Sequence, residues 1–135
     1  MANEHHVNAT PHAATQELAA HAAAAAVNCW VSQQPVGAPV TSVKQSGFGA
    51  SNLYWMNFNN SSVLHTLDFI VTFKPGSPLT TQRQHFAFPG GGYAGTVTTP
   101  FGVPFWGGNP IIGPAVLTVI ANGVPVGHFN FNVVP

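Results

Sequence analysis

A chain of 135 residues is one domain by size and long enough to bury one core. Apolar residues make up 45% of it and charged residues only 4%, with a formal net charge of zero, against about 25% charged in an ordinary soluble domain. Three scattered cations cannot follow a phosphate backbone, so nucleic acid is excluded as a partner. So little like-charge repulsion between copies predicts a homo-oligomer.

Residues 1–9 read as a polar arm. Thr10-Pro11 then has the form of a helix start, a side-chain cap followed by proline at the first helical position. The Ala-rich stretch to residue 26 predicts a helix whose thin apolar line is Leu18, Ala22 and Ala25, packed on its own domain or on a neighbour. No Lys or Arg precedes the Ala run, and Glu4 and Glu17 do, so no signal peptide is read there. No stretch reaches the roughly 18 apolar residues of a spanning helix. Cys29 is alone, which excludes an internal disulfide and fits a small buried hydrophobe.

From residue 27 to 135 the texture is β. Strands are predicted over 27–33, 39–45, 51–59, 64–74, 81–88, 93–99, 115–121 and 124–134, separated by Gly, Pro and Asn breakers. The division is therefore an arm and helix over 1–26 and a β domain over 27–135. The fold class is all-β: a small eight-stranded antiparallel barrel or sandwich with an N-terminal Ala-rich helix. Over 64–74, Leu67, Phe69, Val71 and Phe73 share one face and Thr66, Asp68, Ile70 and Thr72 the other. The pattern around Leu53, Trp55 and Phe58 breaks strict alternation, which predicts a bulge there. The stretch 100–114 is rich in Pro and Gly and reads as a long aromatic loop, either a binding element or a cap over one end of the core. Asn122-Gly123 lies between two β-rich runs and predicts a type I′ hairpin, with Phe129, Phe131 and Val133 facing the core and His128, Asn130 and Asn132 facing away.

No catalytic motif stands out. No family signature surrounds Cys29, and two of the three acids lie in the N-terminal arm and helix, so no enzyme is predicted. Ligand spacings for a metal are missing, the glycines at 90–92 lack the Lys and helix of a phosphate loop, and no cofactor is expected. Tyr54, Trp55, Tyr93, Phe101, Phe105 and Trp106 are the candidate ligand or partner contacts, because aromatic rings among amides can stack on sugars or meet another surface. Seven His outnumber the six permanently charged residues. His65, His85 and His128 are the candidate pH sensors, expected to loosen the fold on acidification if held neutral in packed sites.

Two stretches, HFAFPGGGYAGTVTT over 85–99 and VGHFNF over 126–131, together resemble the bacterial virulence-associated protein (Vap) family. The resemblance covers roughly the C-terminal half. It implies a compact eight-stranded antiparallel barrel behind a poorly ordered N-terminal segment, secreted, without catalytic residues, and acting at host membranes in an acidified compartment. The expected function is a non-enzymatic interaction protein at a membrane or cell surface, as a toxin or virulence factor, in a secreted or extracellular location. A self-assembling subunit of a filament, shell or inclusion, and a lectin-like module that binds a glycan surface, are the alternatives.

Overall fold

The computed structural model describes residues 10–12, 28–45, 52–74, 81–103 and 111–135. They form nine strands: β1 (Thr10–His12), β2 (Cys29–Ser32), β3 (Ser42–Lys44), β4 (Asn52–Leu64), β5 (Thr66–Phe73), β6 (Thr81–Ala87), β7 (Tyr93–Val103), β8 (Gly113–Ala121) and β9 (Val124–Val134). Two sheets result, β1-β7-β4-β2 and β3-β9-β8-β5-β6. The fold is a two-sheet sandwich rather than a closed barrel. The eight expected strands are all present. The ninth, β1, lies where a helix start was expected: Thr10, Pro11 and His12 pair antiparallel with Thr98, Val97 and Thr96. Edge pairing overrides local propensity there, and a proline is tolerated on such an edge. The predicted helix beyond it, 13–26, lies outside the described residues.

One departure from an all-antiparallel plan defines the topology. The chain leaves the first sheet after β2 and joins the second as β3, which runs parallel to β9 (Val43 opposite Val133). With β4 and β7 in one sheet and β9, β8 and β5 in the other, this is the strand arrangement of an immunoglobulin-like sandwich.

Alternation builds the core. Leu67, Phe69, Val71 and Phe73 of β5 are all buried, as are Leu117 and Val119 of β8 and Phe131 and Val133 of β9. Phe129 is only partly buried, packing where β9 meets Trp30 and Val36. The expected bulge near Phe58 is absent: Tyr54, Met56 and Phe58 face inward in strict alternation, and the register shift comes later, between Asn60 and Leu64. Residues 100–103, expected in a loop, continue β7. Pro100 is tolerated because it sits opposite Trp55 with its missing N–H directed away from β4. Its carbonyl accepts from Gln84 Nε2 at 2.9 Å, and that of Gly102 from Gln82 Nε2 at 3.2 Å. Two β6 side chains thus close the edge of β7 that β1 leaves uncovered.

Asn57 lies on the outer face of the first sheet yet is fully buried. The turn over 34–37 folds back onto it. Val36 N–H and Thr98 Oγ1 donate to Asn57 Oδ1 at 2.9 and 2.7 Å, and Asn57 Nδ2 donates to Ser32 Oγ at 2.9 Å. Trp30 Nε1 donates to Gly37 O at 2.8 Å. These bonds hold Val36 at φ 54°, a left-handed conformation that a β-branched residue ordinarily avoids.

Candidate functional site

Three turns meet at one end of the sandwich: β4–β5 around His65, β6–β7 over 88–92, and β8–β9 over 122–123. The hairpin turn has the predicted type I′ signature, Asn122 at φ 51° and Gly123 at φ 80°. Ala121 pairs with Val124 and Ile120 with Pro125, the adjacent pair that asks no donor of proline. A register shift then follows between Ile120 and Val119, leaving Val126 as the extra residue.

Asn122 also does what turn statistics do not reveal. His65 N–H and Thr66 N–H donate to its Oδ1 at 2.7 and 3.2 Å, and its Nδ2 donates to Val63 O at 2.9 Å. Its own N–H donates to Thr66 O at 2.9 Å. Phe88 N–H donates to His65 O at 3.0 Å, which ties in the third turn. Gly92, at φ 80°, lets that turn come close: a Cβ there would lie 2.5 Å from Val63 Cγ1 and 2.6 Å from the Leu64 carbonyl oxygen. The tip is therefore rigid before it meets anything.

Three apolar side chains are exposed on the tip, beside Ser61, Ser62 and Asn122, and it is nearly free of charge. Val63, Val124 and Val126 are 47%, 59% and 40% exposed. No Asp, Glu, Lys or Arg occurs in 60–66, 87–95 or 120–127, and His65 is the one exposed ionisable side chain there among the described residues.

One charged pair, with a histidine, lies on the outer face of the second sheet. Asp68, 5% exposed, accepts from His85 Nδ1 at 2.7 Å and from Arg83 Nε at 3.3 Å. A carboxylate behind a histidine is how many bases are oriented. Here, among the described residues, no hydroxyl or thiol hydrogen-bonds to either side chain, and the pair stands on an open sheet. Among the described residues, no three His, Cys, Asp or Glu gather as metal ligands.

The expected site residues are dispersed. Tyr54, Tyr93 and Phe101 sit in the core, with Tyr93 Oη donating to Thr96 O and the Phe101 ring 6.2 Å from Phe131. Their rings anchor the sandwich and leave little face for a partner. Trp55 is half-buried on the outer face of the first sheet. Phe105 and Trp106 lie outside the described residues. His65, His85 and His128 are all exposed. His85 on β6 and His128 on β9 are separated by two strands, about 14 Å at the usual strand spacing. The expectation of acid loosening assumed packed sites, and these three side chains lie at the surface. Asn122 and the tip valines were missed as site residues. Asn-Gly marks the turn, but nothing local marks the clamp, whose bonds span more than 50 residues of sequence.

No family model and no curated protein matches the chain. Among solved structures it is similar to an immunoglobulin-like protein from Pseudomonas aeruginosa, at 13% identity and a TM-score of 0.46, over 82% of this chain and 99% of that one. It is also similar to the alkylpurine DNA glycosylase AlkC of Pseudomonas fluorescens bound to DNA containing an abasic site analogue, at 11% identity and a TM-score of 0.44, over 81% of this chain. The chain spans 31% of the glycosylase's length.

Proposed function

We propose that this protein is a non-enzymatic interaction module that touches a lipid bilayer through its charge-free tip. The observation that carries the reading is the set of Val63, Val124 and Val126, exposed beside the two turns that Asn122 ties together. A rigid tip loses little conformational entropy on contact, and a charge-free one has no ion to desolvate. Burying the exposed part of three valines contributes about 1 kcal/mol each. The sum, about 3 kcal/mol, is weaker than a millimolar dissociation constant. Useful binding then requires several tips in one assembly, which multiply the contact. Self-association, expected from the 4% charge content, belongs to the same reading. The resemblance of 85–99 and 126–131 to the virulence-associated protein family points the same way, toward an extracellular protein that meets host membranes.

Flotation with phosphatidylcholine vesicles tests the reading. The wild-type protein should rise with the vesicles, and a Val124→Asp, Val126→Asp variant of unchanged melting temperature should stay below. A wild-type protein that does not float, or a variant that floats as well, overturns it.

A further inference from the structure

β6 is the last strand of the second sheet, paired with β5 and, among the described residues, with no other strand. Phe88 N–H donates to His65 O just beyond its end, so that opposed pair is a hydrogen-bonded one and sets the phase of the ladder. Alternation in an antiparallel pair then turns the N–H and C=O of Phe86, Gln84 and Gln82 toward β5, and those of Ala87, His85 and Arg83 outward. Thr66, opposite Ala87, obeys the same rule: its carbonyl accepts from Asn122 N–H on the far side of β5. Arg83, His85 and Ala87 are exposed. We propose that this edge takes an extended, acidic segment of another protein as an added strand.

The side chains of β6 leave that edge open. A charged side chain on an edge strand ordinarily guards it. Here Arg83 Nε and His85 Nδ1 both reach back over β5 to Asp68, at 3.3 and 2.7 Å, away from the edge. Gln82 and Gln84 turn to the other face and donate to Gly102 O and Pro100 O of β7. The outward N–H and C=O of Arg83 and His85 therefore face no hydrogen-bond partner among the described residues. Charge decides what fits there. Arg83 and His85 lie two residues apart on one face, with side chains 59% and 56% exposed, while the Asp68 side chain behind them is 8% exposed. The edge thus presents a guanidinium and an imidazole rather than the carboxylate. A strand added beside them sets alternate side chains opposite them, where carboxylates are favoured and ammonium groups are not. A second copy is disfavoured, because antiparallel pairing of β6 with itself sets Arg83 opposite His85, or Arg83 opposite Arg83.

Titration followed by amide NMR tests this with a short peptide alternating threonine and glutamate, its lysine counterpart, and the glutamate peptide N-methylated at its glutamates. The glutamate peptide should shift the backbone N–H signals of Arg83 and His85 saturably at roughly millimolar concentration. It should also slow the exchange of both amides with solvent. The lysine peptide lacks the charge and the N-methylated one lacks the donors, so neither should bind. Arg83→Ala should weaken binding about threefold. Arg83→Pro removes an outward N–H that the β5 ladder does not use, and should abolish binding with the β8 amide signals in place. The Val124→Asp, Val126→Asp variant should bind the peptide as wild type does, which separates this edge from the tip. Unmoved Arg83 and His85 amides with the glutamate peptide, equal binding of either control peptide, or unchanged affinity in Arg83→Ala overturns the proposal. So does protection of these amides that rises with protein concentration alone, since a second copy then occupies the edge.

Discussion

Replacing Asn57 with Ala tests whether the buried polar knot holds the turn over 34–37. Asn57 is fully buried, and its Oδ1 takes two donors, Val36 N–H and Thr98 Oγ1. The truncation leaves both donors buried without an acceptor, at about 1–3 kcal/mol for each. Ser32 Oγ keeps its bond to Gln34 O, so its loss is smaller. The Thr98 hydroxyl can rotate toward another acceptor, and release of Val36 from its left-handed φ returns part of the loss. The net expectation is about 3 kcal/mol, a fall in melting temperature of roughly 10 °C for a domain of this size. Thr98→Val removes one donor and leaves Asn57 bonded to Val36, so it should cost about 1 kcal/mol. Urea unfolding of both single variants and the double variant, followed by Trp fluorescence, gives the coupling directly. The two changes should be clearly non-additive. An Asn57→Ala protein within about 1 kcal/mol of wild type, or additive effects, would falsify the idea that the knot acts as a unit.

At the other end, Asn122→Ala should destabilise by about 2–3 kcal/mol, through three lost side-chain bonds and a positive φ. Gly123→Val should cost about 1–2 kcal/mol from backbone strain, since the space around Gly123 is open; thermal melts that rank Gly123→Val as the more damaging change contradict the clamp. Burial pushes the Cys29 thiol up to about 11 from 9.0, so the folded chain should resist iodoacetamide at pH 8 and react once unfolded. Because the folded value is the higher one, the stability contributed by this thiol is whole below about pH 9 and falls by up to about 2 kcal/mol as pH rises toward 11. Burial also raises Tyr93, which acts in the same direction. Urea midpoints at pH 8 and 10.5 should show this loss, reduced in Cys29→Ala. Deleting residues 1–12 removes β1 and uncovers the edge of β7 at Thr96 and Thr98, so sedimentation should show more self-association rather than less. Unchanged sedimentation would mean that β1 does not guard that edge.

What local sequence determined here is whatever a period of two or a single turn dictates. The buried face of β5, the β8–β9 hairpin with Phe131 and Val133 inward, and the left-handed Asn122-Gly123 turn all follow from side-chain alternation and backbone sterics over a few residues. Tertiary structure decided what depends on partners far along the chain. Thr10-Pro11 is a helix start in isolation and a strand once β7 offers an edge. Pro100 looks like a strand breaker until its pairing with Trp55 turns the missing N–H away from β4. Tyr54 and Phe101 could serve a ligand or a core equally well as sequence, and only sheet packing turns them inward. The same holds for the proposed tip. Val63 and Val124 come to one end of the sandwich because Asn122 bonds across 59 residues to Val63. Contacts of that range leave no periodic trace in a sequence, since each residue's neighbours in space are set by the fold as a whole.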